Sequence, residues 1–180
     1  MKYDSFEFEK KAAFTVAELM VLAAKTAPKG CGLDNIETIV VDGDEKSALT
    51  REMRKIAKES GADFFARDAD NTDESHLVVL IGAKDNPVEL DCGLCGFGDC
   101  EKLVKAGGRC TFNITDLGIA VGSAVSLAAD HRADNRVLFS AGLAAVRLGL
   151  FPETIKTCYG IPLASSAKNI FFDRGDGDDE

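Results

Sequence analysis

The chain has 180 residues, the size of one ordinary domain, and its 46% hydrophobic and 28% charged residues are the composition of a globular protein with a buried core. A formal net charge of −9, with lysines and arginines scattered among acids, excludes the concentrated basic surface that nucleic acid or an anionic membrane requires. The charged segment 1–11 lacks the apolar core of a secretory signal, and the longest apolar stretch, 117–129, is interrupted by Gly118, Gly122, Ser123 and Ser126 and is too short to span a bilayer, so a cytoplasmic protein is expected.

Residues 14–26 repeat Val16, Leu19, Met20 and Ala23 at helical spacing, with Thr15 as the expected N-cap and Pro28 and Gly30 marking the exit. The β-branched run 36–41 (IETIVV), closed by Asp42-Gly43, predicts a buried strand and a turn. Helical period returns over 46–60, where Leu49, Met53, Ile56 and Ala57 share a face and Gly61 is the stop. Residues 77–82 (LVVLIG) form a continuous apolar run, the pattern of a strand covered on both faces. From 86 to 108 the chain carries Pro87, five glycines and three cysteines, the composition of a loop built around something. Residues 115–129 are rich in Ala, Gly and Ser at spacings that let helices approach closely, and 135–148 follows as a second apolar stretch ended by Gly149. A last strand is predicted at 170–173 (IFFD), and the acidic, glycine-rich tail is expected to lack order. The expected organisation is one α+β domain over 1–172, a cysteine-rich segment at 86–110, and a tail at 173–180.

Four of the six cysteines, Cys92, Cys95, Cys100 and Cys110, fall in the pattern C-x2-C-x4-C-x9-C, while Cys31 and Cys158 stand alone. In a chain without a secretory signal such a cluster points to metal or redox chemistry before disulfides. A cubane iron–sulfur cluster needs converging thiolates, and a C-x2-C step supplies two from one turn. Gly93, Gly96 and Gly98 would let backbone amides approach the inorganic sulfide, Phe97 would shield one side, and a short helix starting after Cys100 would favour a thiolate there. Zinc shares the C-x2-C half-site, but there is no second one near Cys110. A redox pair at Cys92 and Cys95 leaves the other two unexplained, and four unligated thiols in a loop is the plainest alternative.

The segment DCGLCGFGDCEKL (91–103) resembles the cysteine motif of small iron–sulfur domains in electron-transfer complexes and corrinoid iron–sulfur proteins, where the last cysteine lies farther downstream. A wider resemblance runs through AELMVLAAKTAPKG (17–30), DCGLCGFGDC (91–100), residues 110–150 and YGIPLASSAKNIFFDR (159–174). These segments are similar to the ferredoxin-domain-containing proteins of anaerobic bacteria and archaea known as domain of unknown function 2148. That likeness implies a cluster, most simply [4Fe–4S], on Cys92, Cys95, Cys100 and Cys110, and no established reaction. A fainter one, in LAAKTAPKG (22–30) and VRLGL…YGIP (146–162), resembles the nitroreductases. It implies an α+β three-layer sandwich carrying the cysteine loop, a homodimer, and FMN at the dimer interface near Lys29 and Gly30. The sequence departs from that pattern where FMN phosphate is held: there is no Arg-Arg-Ser-x-Arg motif, only Lys10 and Lys11 lie nearby, Lys29 stands in place of a serine, and Gly32 in place of an asparagine. Lysine offers a point charge but not the guanidinium fork.

Cys31 and Cys158 read as small buried hydrophobes, and His76 and His131 as surface residues. Asp130, Arg132, Asp134 and Arg136 read as a solvated or interface turn between two helices, and Asp116 as an acid near a helix start rather than a catalyst. Three functions follow: an electron-transfer protein whose acidic surface suits a basic partner, an FMN oxidoreductase fed by an accessory cluster, or a non-catalytic protein with structural iron–sulfur or zinc.

Overall fold

The computed structural model describes residues 1–172; the acidic tail lies outside the described residues. Its centre is strand β2, Leu77–Lys84, in which seven of eight residues are buried. β2 pairs antiparallel on one side with β1, Ile36–Val41, and on the other with β4, Ile155–Ala164; β4 in turn pairs with the two-residue β3, Asp134–Asn135. The sheet order is thus β1-β2-β4-β3.

Period-2 alternation along β2 divides the core in two. Leu77, Val79 and Ile81 face a layer made by α1, Ser5–Thr26, and α5, Thr111–Asp130, whose Val16, Met20, Leu117, Ala120 and Ala124 fill the space. Val78 and Leu80 face the other layer, made by α2, Gly43–Ser60, α3, Phe64–Glu74, and α6, Phe139–Arg147. The result is a three-layer α+β sandwich. Each fully buried Leu, Ile or Met contributes about 1.5–3 kcal/mol of transfer free energy. The tightest approach is between α6 and β4, where a Cβ on Gly142 would lie 1.8 Å from the Cys158 carbonyl oxygen. Only glycine fits there.

Several expectations need correction. Helix α1 begins at Ser5, nine residues before the expected start, with the Asp4 carboxylate accepting from the Phe6 amide at 2.9 Å. Its first two turns are exposed, so no apolar period announced them. Asp42-Gly43 is the start of α2 rather than a free turn. Residues 135–148 divide into the end of β3 and the helix α6. The strand predicted at 170–173 is a turn over 170–172, in which Phe171 is buried and its amide donates to the Asn169 side chain. Two elements gave no signal. Helix α3 is mostly polar and buries only Phe65, Asp68, Ala69 and Thr72. Strand β4 contains Gly160 and Pro162, which read as breakers. Gly160 exchanges backbone hydrogen bonds with Leu138 on the side away from β2. Pro162, two residues on, turns its donor-less nitrogen to that same side, beyond the end of β3, where no ladder is broken.

Candidate iron–sulfur loop and flavin turn

The cysteine segment leaves the sheet at the end of β2 and returns at the start of α5, and three asparagines anchor it there. The Asn113 amide, on the first turn of α5, donates to the Lys84 and Asn86 carbonyls at 2.9 and 2.7 Å. The Asn35 amide donates to the Asn86 carbonyl and to the Asn113 side-chain oxygen at 3.0 and 3.1 Å. Asn35 and Asn113 are buried, so each of these bonds replaces water that cannot reach them. A salt bridge of 3.0 Å between Arg109 and Asp85 ties the two ends of the segment.

Between these anchors the backbone turns through left-handed conformations at Glu89, Asp91, Gly93, Gly96 and Gly98. Two of these are not glycine, each at a steric cost of about 1–2 kcal/mol. The Gly96 amide donates to the Gly93 carbonyl at 2.9 Å, which folds Leu94 and Cys95 into a tight turn. The Asp91 carboxylate accepts from the Cys100 amide at 2.8 Å. Asp99 caps the short helix α4, Cys100–Lys105, by accepting from the Lys102 amide at 2.8 Å; the Lys102 ammonium also pairs with it and holds its carboxyl below the usual range. Phe97 packs over Gly108, where a Cβ would meet its ring at 2.7 Å, yet the ring remains 40% exposed and is at most a partial shield.

The four sequence-predicted ligands lie at different depths. Cys110 is buried with Val88 and Leu103, and the half-buried Cys95 packs against that small core together with Phe112. Cys100 is half-buried at the start of α4, and Cys92 is exposed. Cys110 also occupies the N-cap position of the 20-residue α5 without a side-chain capping bond. Among the described residues no three Cys, His, Asp or Glu side chains meet closely enough to hold a metal ion. The donor chemistry nonetheless fits a cluster: four thiols on one short segment, left-handed glycines between them that let the backbone turn closely, and a small apolar floor.

The turn after α1 is the second candidate. All three donors of the Lys29 ammonium are occupied, by the carbonyls of Ala24, Lys25 and Ala27 at 3.1, 2.7 and 2.8 Å, so Lys29 closes the C-terminus of its own helix. Burial, with Lys25 nearby, lowers its pKa. The Gly30 amide donates to both carboxylate oxygens of Asp116 at 3.0 Å, and Gly30 lies against the Phe112 ring. An FMN phosphate here would find its two expected donors spent and a carboxylate beside them. Lys29 and Gly30 in this arrangement do not fit that phosphate.

Cys31, expected to be buried, is exposed and left-handed at φ 55°. Cys158 is buried, and burial pushes its thiol up to about 12. His131 is exposed; His76 is half-buried, bonds Ser165 at 2.7 Å, and has its pKa lowered by burial. Arg136 does more than sit in a solvated turn: it donates to the Phe171 carbonyl at 3.2 Å and stacks over Phe172. The anchoring residues Asn35 and Asn113 were missed. Their signal was polarity at positions otherwise apolar, and Asn113 and Asp116 stand one turn apart on the buried face of an apolar helix.

A relative from Archaeoglobus fulgidus, itself described as an uncharacterized protein, is 37% identical over 177 residues, covering 93% of this chain and 95% of its own. Residues 106–174 match the family model described as "Uncharacterized protein containing a ferredoxin domain (DUF2148)". The chain belongs to this ferredoxin-domain family. The matched region includes Cys110 and lies downstream of the other three cysteines. Solved structures with the same architecture are nitroreductases. A nitroreductase with bound FMN from Bacteroides fragilis superposes with a TM-score of 0.58 at 12% identity, over 85% of this chain and 77% of its own. A putative NADH dehydrogenase/NAD(P)H nitroreductase from Bacteroides thetaiotaomicron gives 0.56 at 14%, over 86% and 74%. For NfrA2 from B. megaterium the values are 0.55 at 15%, over 86% of this chain but only 58% of that one. At these identities the likeness is one of fold: this DUF2148 chain is a nitroreductase-like sandwich whose cysteine-rich loop lies between β2 and α5.

Proposed function

We propose that this protein is an iron–sulfur redox protein of the cytoplasm in which Cys92, Cys95, Cys100 and Cys110 hold a cluster that transfers single electrons. The observation that carries this reading is the placement of four thiols along one glycine-rich segment, with left-handed turns, whose ends are clamped to the sheet. When bound, the cluster would supply one-electron chemistry. The chain's own residues do the rest: Asn35 and Asn113 fix the loop, Val88 and Leu103 exclude water below it, and the backbone amides of Gly93 and Gly98 would be the donors to anionic sulfur. Cys95→Ser should abolish the bleachable brown absorption of anaerobically prepared protein, whereas Cys158→Ser should leave it intact. Full iron and sulfide content in the Cys95 variant would remove the ligand assignment.

A flavin reading draws support from the FMN-bound neighbours of this fold, including one from Desulfovibrio desulfuricans. Against it stands the internal use of Lys29 and Gly30, and yellow flavin released on heating would reinstate it. For quaternary structure we propose a homodimer. On the outward side of α5, Ile114 and Ile119 are exposed beside Gly118 and Gly122, at which an added Cβ would meet nothing, leaving an apolar face open to a second copy. A single-chain mass in solution light scattering would remove it.

A further inference from the structure

The surface of the cysteine loop combines exposed apolar side chains with an acidic cleft. Leu94, Val104 and Leu90 are 66%, 61% and 48% exposed on this one short segment. A cleft of about 770 Å³ runs past Val104 and Cys100, lined by Asp85, Glu89, Asp91 and Glu101, with Lys105 as its single cation among the described residues. Much of the charge is already neutralised within the loop: Asp85 pairs with Arg109, Asp99 with Lys102 and Glu101 with Lys105. Glu89 and Asp91 have no cationic partner among the described residues, and they flank the exposed Leu90. The cleft wall therefore carries net negative charge beside Cys100. The lysines of α4 do not reverse it.

We infer that this face is the docking surface for a basic electron-transfer protein, whose lysines meet Glu89, Asp91 and Glu101 while an apolar contact forms over Leu90, Leu94 and Val104. The inference rests on the redox reading above and adds to it the partner's chemistry and the side on which it binds. Charge complementarity selects the partner. An acidic protein would face unpaired like charges, and a neutral apolar one would leave two carboxylates desolvated without a counter-ion. The arrangement also brings a bound partner close to Cys100, the thiol that lines the cleft.

The test uses the full chain, prepared anaerobically, with mitochondrial cytochrome c as a lysine-rich probe and calorimetric binding as the readout. The native chain should bind the probe at low ionic strength and lose it as salt rises, because the Debye length shrinks from about 30 Å at 0.01 M to about 10 Å at 0.1 M. Glu89→Lys with Glu101→Lys should weaken binding at least about tenfold with circular dichroism and iron content unchanged. The control is Asp44→Lys with Glu45→Lys. These exposed acids lie at the start of α2, after the Val41 end of β1, which pairs with Val78 at the opposite end of β2 from the loop. This variant makes the same change in net charge and should retain native affinity. Equal weakening by both double variants would overturn the proposal, since binding would then follow net charge alone. So would no weakening in the loop variant. A chain without iron that still loses the probe through Glu89 and Glu101 would support the surface while overturning the redox reading.

Discussion

In β2 six side chains are buried and each meets one helical layer or the other; between Asp85 and Arg109 only Val88 and Leu103 are buried. The sandwich is held by interdigitated aliphatic side chains and a continuous antiparallel ladder. The cysteine loop is held by a three-asparagine knot, one salt bridge, one capped six-residue helix and a floor of a few side chains. The difference shows where a bound group would matter energetically. A sandwich of this kind folds on its own buried area, whereas the loop adopts left-handed backbone at Glu89 and Asp91 with little burial in return. Such strain is characteristic of sites where a ligand or partner uses the shape.

The comparison breaks first at its strongest joint. Gly142→Ala would drive a methyl into the Cys158 carbonyl and should cost about 3 kcal/mol or more, unfolding sandwich and loop together in a denaturant titration. Leu80→Ala, at a fully buried position of the central strand, should cost about 2–5 kcal/mol in the same assay. If either left the midpoint unchanged, the sandwich would not be the stabilising unit. Asn113→Ala sharpens the contrast from the other side. It removes the Asn113 donor from the Lys84 carbonyl, leaves the Asn86 carbonyl with the Asn35 amide alone, and should cost about 1–3 kcal/mol, with protease cleavage in residues 86–108 rising more than the global midpoint falls. Glu89→Gly relieves a left-handed glutamate and should change stability by no more than about 1 kcal/mol, in the stabilising direction.

The smallest effect concerns pH. Burial lowers the His76 pKa below the ordinary value of 6.5, so the unfolded chain takes up the proton first as acid is added. The contribution of a neutral His76 is therefore complete above that value and is lost as pH falls below it. His76→Gln should flatten the stability profile in that window, and an unaltered slope would assign the acid sensitivity to other groups.

Much of the fold was legible because its signals are local. IETIVV and LVVLIG read as strands since both are short, apolar and bounded by turns, and Gly61 stops α2 in the left-handed conformation expected of it. The glycines and Pro87 of residues 86–108 marked the loop directly. What was hidden depends on tertiary contact. β4 reads as broken by Gly160 and Pro162, although Gly160 is required where Ala141 packs against it and Pro162 faces a gap beside the shortest strand. α3 shows too few apolar residues to reveal itself; it is fixed by Phe65 and by the Asp68 carboxylate that accepts from Ser140 on α6 at 2.6 Å. At the candidate sites, no spacing rule could show that Lys29 would be used up by the carbonyls of its own helix, or that Asp116 would take the Gly30 amide. Asn35 and Asn113 stand 78 residues apart and meet only once the sheet has formed.

Iron, acid-labile sulfide, zinc and flavin determined together on one anaerobic preparation test the central claim most directly. About four irons and four sulfides per chain, lost together in Cys95→Ser, with no flavin in the heated extract, is the predicted result. Stoichiometric zinc without sulfide, or bound FMN in a chain without iron, would contradict it.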